Sequence, residues 1–180
     1  LLNRGVDPQS LLLLTFTQKA AREMESRLSH HLAAIGRQVW TGTFHRLSAQ
    51  VLRQEGYRLG YTDSFTIHDQ HASVQMIRQL VEDLALDLLP EWGERILRVF
   101  SLTVNADLGL ADALRKSAPQ LSSHQETIAV LQDAYCLRKL QSNVMDYDDL
   151  LAHFYLLLES VLELRTALSE RFRHILVVEY

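Results

Sequence analysis

The run LLLLTF at positions 11–16 follows the turn-like Asp7-Pro8-Gln9-Ser10 and gives way abruptly to a helix-forming pattern. No polar residue alternates along it, so it suits a strand covered on both faces, and such strands belong to parallel sheets. From Gln18 the period changes. Ala20, Met24, Leu28 and Leu32 recur every four residues, while Lys19, Arg22, Glu23 and Glu25 fall mostly on other faces. Gly36 is expected to end that helix. A second strand is expected over residues 38–42, followed by a helix capped at Thr43 and carrying Leu47, Val51 and Leu52. Strand, helix, strand, helix at this spacing defines an α/β layer with parallel strands.

The middle of the chain reads differently. Asp69 has the position of an N-cap, and Val74, Ile77, Val81 and Leu84 follow at helical steps. Pro90 suits the first turn of a helix carrying Trp92, Ile96, Leu97 and Phe100. Breaks are expected at residues 105–107 and 117–123. A further helix over 123–140 would place Ile128, Leu131, Tyr135 and Leu140 on its apolar side. No strand is expected between 69 and 140. Helices are then expected over 147–159 and 161–171, and a strand over 175–178. The organisation expected is an α/β domain over 1–68, an all-helical insertion over 69–142, and a return to the first domain over 143–180.

Bulk charge does not advertise nucleic acid. The 180 residues carry a net charge of −4, so any DNA binding must come from a local surface. The single cysteine, Cys136, can form neither an internal disulfide nor a four-ligand zinc site, which fits a reducing cytoplasmic setting. It reads as a small buried residue in a helix. No apolar run approaches the ~18–20 residues that span a bilayer. The chain starts at Leu1 and stops just after an apolar run, and is expected to be a piece of something longer.

Four strings carry a resemblance. Residues 11–24, LLLLTFTQKAAREM, are similar to the motif that follows the phosphate-binding loop in UvrD/Rep-type superfamily 1 DNA helicases, where TFTNKAAxEM is usual. TGTFHRL at 41–47 resembles the next motif, GTFHS. NVMDYDDLL at 143–151 resembles DFDDLL, and RHILVVEY at 173–180 resembles the Walker B strand, ILVDEYQD. Each string alone is weak; the ordered set, spread over the whole chain, is specific. The resemblance implies an incomplete RecA-like parallel sheet of the P-loop NTPase type, interrupted by an all-helical insertion. It also implies ATP and Mg²⁺ as cofactors of the parent protein, single-stranded DNA as its partner, and 3′–5′ translocation. Repair or recombination proteins are further partners that it implies.

The resemblance assigns DNA contacts to Thr15, Phe16, Thr17 and Gln18, and to Thr43, Phe44, His45 and Arg46. Chemistry agrees: at the carboxyl edge of a parallel sheet, hydroxyls and free helix N–H groups can meet phosphate. An exposed aromatic can stack on any base. From the residues alone Phe16 reads rather as a core residue, which the resemblance reverses, and His45 could be solvated or packed. Gln18 replaces the usual Asn with the same donor and acceptor set, and Arg46 replaces Ser with a guanidinium suited to phosphate. Lys19 and Arg22 read as solvated helix charges or phosphate neighbours. Asp146, Asp148 and Asp149 read as helix N-terminal carboxylates rather than a cation site. The pairs His30/His31 and His68/His71 lack the partners of a metal site.

Glu179 aligns with the catalytic Glu of Walker B. The position before it, where the family has the Asp that holds Mg²⁺, is Val178, which offers no oxygen. No Gly-x-Gly-Lys-Thr occurs, and in the family it would precede Leu1. The chain by itself is therefore expected neither to bind ATP and Mg²⁺ well nor to hydrolyse ATP. Two neighbouring readings are a degenerate ATPase that serves as a DNA-binding or protein-interaction module, and the helicase subunit of a helicase–nuclease.

Overall fold

A computed structural model describes residues 1–36 and 38–178, with side chains for all of these but 3 and 29–36. The elements, in chain order, are β1 (Leu11–Thr15), α1 (Gln18–Gly36), β2 (Trp40–Thr43), α2 (Phe44–Glu55), β3 (Thr66–Ile67), α3 (Gln70–Asp83), α4 (Gly93–Asn105) and α5 (Leu110–Ser117). There follow α6 (Gln125–Gln141), β4 (Val144–Met145), α7 (Tyr147–Ser160), α8 (Leu162–Arg171) and β5 (His174–Val177). The chain divides into two compact units, one made of residues 1–51 and 153 onward, the other of Leu52–Ala152. The chain belongs to the mixed α/β class that the strand–helix spacing indicates.

In the first unit the three strands run parallel in the order β2-β1-β5. β1 is central, which explains its unbroken apolar run: Leu11, Leu12 and Leu14 are all buried. Leu12 and Leu14 pack with Leu47 and Val51 of α2 and with Phe172. β5 takes the edge, and Ile175, Leu176 and Val177 remain exposed along it. The second unit has a helical core, with Ile77, Ile96, Val99, Leu114, Ile128 and Leu131 fully buried among α3, α4, α5 and α6. It also holds a parallel pair of two-residue strands, β3 and β4.

The helix signals act as the sequence suggests. The Asp69 carboxylate accepts from the Ala72 N–H at 2.8 Å and starts α3, and Pro90 opens a 3₁₀ turn that leads into α4. Three details differ. Cys136 is exposed on α6 rather than buried. Leu140 is exposed as well, because the buried stripe of α6 runs from Tyr135 to Lys139. Leu84 is exposed because it caps the end of α3 rather than continuing its stripe.

Candidate nucleic-acid interface

The register brings the three resembling strings of the first unit to one place. Thr15 pairs with Thr43 across β1 and β2, and the Val178 N–H donates to the Leu14 carbonyl at 2.9 Å. Three strands thus end at one carboxyl edge, and α1 and α2 start there, each within three residues of its strand.

Thr15 is buried, 1% exposed, and its hydroxyl donates to the Thr17 carbonyl at 2.8 Å. Its hydrogen bond shapes the turn that leaves β1. Thr17 is exposed and caps α1, with Oγ1 accepting from the Ala20 N–H at 3.2 Å. Having accepted there, the Thr17 hydroxyl keeps its own proton to donate. Gln18, also exposed, is the first residue of α1.

Between them stands Phe16, 63% exposed. Its ring lies 5.3 Å from that of Phe44, tilted by 40°, and Phe44 packs against the Leu12/Leu14 core. The core-packing alternative for Phe16 therefore falls away: Phe44 is the anchored ring and Phe16 the outer one. Tilted aromatic pairs at this separation attract each other beyond their shared area.

Across the edge Thr43 is buried and caps α2, its Oγ1 accepting from the Arg46 N–H at 3.2 Å. His45 is half-buried. Arg46 is exposed, and its guanidinium carbon lies 5.9 Å from the centre of the Trp40 ring. Lys19 and Arg22 are exposed on α1. Glu179 lies outside the described residues. At Val178 the edge presents hydrocarbon, which offers no oxygen to a cation. Among the described residues no group of three His, Cys, Asp or Glu side chains is placed to hold a metal.

The second unit gives the acidic string its explanation. Asp146 and Asp149 form a reciprocal cap on α7: the Asp149 N–H donates to Asp146 Oδ1 and the Asp146 N–H to Asp149 Oδ2, each at 2.9 Å. Lys139, 5% exposed, sits between them, with Nζ 2.7 Å from Asp146 Oδ2 and 2.6 Å from Asp149 Oδ2. Its ammonium also lies 4.4 Å from the Tyr135 ring, whose hydroxyl donates to Asp146 at 3.0 Å. Asp148 stands apart and accepts from Asn105 Nδ2 at 2.7 Å. Lys139 escaped the sequence reading, although the steps 128, 131 and 135 lead to 139 and not to 140.

A parallel sheet whose strands end beside capped helix starts, with an exposed aromatic between them, defines an α/β domain with a candidate ligand-binding edge. The profile of the UvrD/REP helicase N-terminal domain matches residues 1–180, and the chain belongs to that family. It is 32% identical over 177 residues to the ATP-dependent DNA helicase PcrA of Leuconostoc citreum, covering 98% of this chain and 23% of that protein. It is 29% identical over 178 residues to the ATP-dependent DNA helicase UvrD1 of Mycobacterium bovis, with 98% and 23% covered. With the PcrA of Staphylococcus epidermidis it shares 27% over 177 residues, 98% of this chain and 24% of that one. The chain thus spans about a quarter of the length of these relatives. Among the described residues no helix is long and apolar enough to cross a membrane.

Proposed function

We propose that this chain is part of an ATP-dependent 3′–5′ DNA helicase and supplies half of its grip on single-stranded DNA. The observation that carries the reading is the exposed Phe16 ring braced on Phe44, set between the capped starts of α1 and α2. A base can stack on Phe16 whatever its identity, as a translocating protein requires. The Thr17 hydroxyl, the Gln18 amide, the N–H groups at both helix starts and the Arg46 guanidinium then face the backbone phosphates. Thr15 and Thr43 hold the two turns in shape. Lys19, Arg22 and Arg46 make the edge locally basic on a protein of net charge −4. The cytoplasm, where a lone thiol stays reduced, is the setting that fits.

Replacing Phe16 with Ala is expected to weaken binding of a labelled oligo-dT, followed by fluorescence anisotropy. Loss of one stacked base, worth about 1–3 kcal/mol, corresponds to roughly 5- to 150-fold. Unchanged affinity would remove the basis of this reading.

Val178 favours a second reading, in which the parent keeps the DNA grip and has lost the motor. The resemblance places the metal-holding carboxylate at this position, where the valine side chain offers no oxygen. In the full-length parent, Val178→Asp is expected to raise ATP turnover by at least ~10-fold if the other motor parts are intact. Equal turnover in the two proteins would mean that the metal position has been misassigned.

A further inference from the structure

Trp40 and Gly42 stand two residues apart on β2 and so share one face of the strand. A Cβ at Gly42 would lie 2.9 Å from Cη2 and 3.0 Å from Cζ3 of the indole, and 3.2 Å from Cδ of Arg46. The six-membered ring therefore rests directly on the Gly42 backbone, and the arginine stem occupies the adjoining space. Any larger residue at 42 would drive one of them out. On its other side the indole is pinned, because Nε1–H donates to Gln50 Oε1 at 3.0 Å. Gln50 lies one helical turn after Arg46, on the same face of α2. The indole thus bridges two residues of α2 from a seat on β2. The Arg46 guanidinium lies at the outer range of a cation–π contact, about 6 Å. Arg46 is exposed, and among the described residues no carboxylate forms an ion pair with it.

We propose that Trp40, held by Gly42 and Gln50, is a positioning residue that presents the Arg46 guanidinium to a phosphate of single-stranded DNA lying along the carboxyl edge. The proposal rests on the single-strand reading given above and adds residues to it that none of the four strings assigns. A long, flexible arginine must give up rotamer freedom to form a directed contact. One whose stem already lies beside an indole over Gly42 has less left to lose. With no carboxylate paired to it among the described residues, the charge is open to a phosphate. An Arg at this position without the indole would still attract the strand, but loosely.

The test is anisotropy titration of fluorescein-labelled oligo-dT with the full chain over a series of KCl concentrations. Arg46→Ala is expected to flatten the slope of log affinity against log salt by about 0.7, the share of one single-strand phosphate contact. Trp40→Leu is expected to weaken binding about 2- to 10-fold through the unlocked side chain. In the double variant Trp40→Leu/Arg46→Ala the loss should not exceed that of Arg46→Ala alone. Trp40→Phe, which keeps an aromatic seat, should recover most of the affinity, and Gln50→Leu, which keeps the indole but frees its anchor, should fall between. Circular dichroism melts identify any variant that fails to fold, and the Gln50 and Phe variants then carry the comparison. Losses that multiply in the double variant, or Trp40 and Gln50 variants that bind like the parent chain, would overturn the positioning role. Phe16→Ala separates the two ideas. If it weakens binding while the Trp40 and Gln50 variants do not, the positioning role alone fails. If the unaltered chain binds no oligo-dT, both fail.

Discussion

Lys139 is a buried cation held by two carboxylates that also cap a helix, and its environment decides how each member of the trio titrates. Burial works against charge on Asp146, but the Lys139 ammonium and its hydrogen bonds outweigh it and hold the carboxyl below the ordinary range. Asp149 goes the other way: burial, helped by repulsion from Asp146, raises it despite Lys139. Burial alone would lower Lys139, and Asp149 and Asp146 together more than reverse that. The signs of the stability terms follow by linkage. Asp146 stabilises the fold above its unfolded value and loses this as pH falls through its depressed folded value. Asp149 contributes most below its unfolded value and loses it as pH rises through its raised one. Lys139 contributes until alkaline pH passes its own raised value. Stability against pH should therefore peak, with Asp146→Asn flattening the acid limb and Asp149→Asn the opposite one. Urea unfolding across the acid-to-neutral range measures this, and a profile indifferent to Asp146→Asn would contradict it. Lys139→Met, which strands two carboxylates together, is expected to cost about 3–5 kcal/mol at neutral pH. The pair Asp146/Asp149 was legible as a helix start because the string itself is a capping pattern. Its buried partner was not, since a lysine in an amphipathic helix reads as solvent-facing unless the register is followed to the last turn.

Among the elements, those with chemical punctuation were the legible ones. Asp69, Thr43 and the Asp146/Asp149 pair mark three helix starts, and each makes the side-chain bond that such residues make there. β1 announced itself through its apolar run. β3 and β4 did not, because two-residue strands carry no period to detect. Helix ends were harder, as with α3, which stops at Asp83 and leaves Leu84 exposed. The cause lies one residue on: Ala85 adopts φ 48, in the left-handed region that favours glycine. Ala85→Gly is expected to raise stability by about 0.5–1 kcal/mol, relieving that conformation. A drop in the midpoint of urea unfolding would show that the turn is not strained. At the candidate interface, strand ends and caps were readable from the strings, whereas the Phe16–Phe44 contact and the Trp40 seat depend on which faces of two elements meet.

At the level of the whole chain, the two units are built on different principles. Leu52–Ala152 closes a core around fully buried Ile77, Ile96 and Leu131. The other unit rests on a three-stranded sheet whose outer strand β5 leaves Ile175 and Val177 more than half exposed. An edge with exposed apolar residues is weakly held and open to pairing with other chains. Urea is therefore expected to unfold the isolated chain over a broad or stepped range, the sheet-bearing unit first, as read by far-ultraviolet circular dichroism alongside tryptophan fluorescence. A single sharp, reversible transition in both probes would argue against it.

The pairing of β1 with β5 also sets an order in time. Residues 11–14 leave the ribosome well before their partners at 174–177. The central strand must wait with the β5 side uncovered while about 160 residues are added, a delay of roughly ten to thirty seconds at ordinary synthesis rates. Leu52–Ala152 is continuous in sequence and needs nothing made later, so its core can close during that interval. The nascent sheet, with four successive leucines in its middle strand, is the part of this protein most in need of shelter while it is being born.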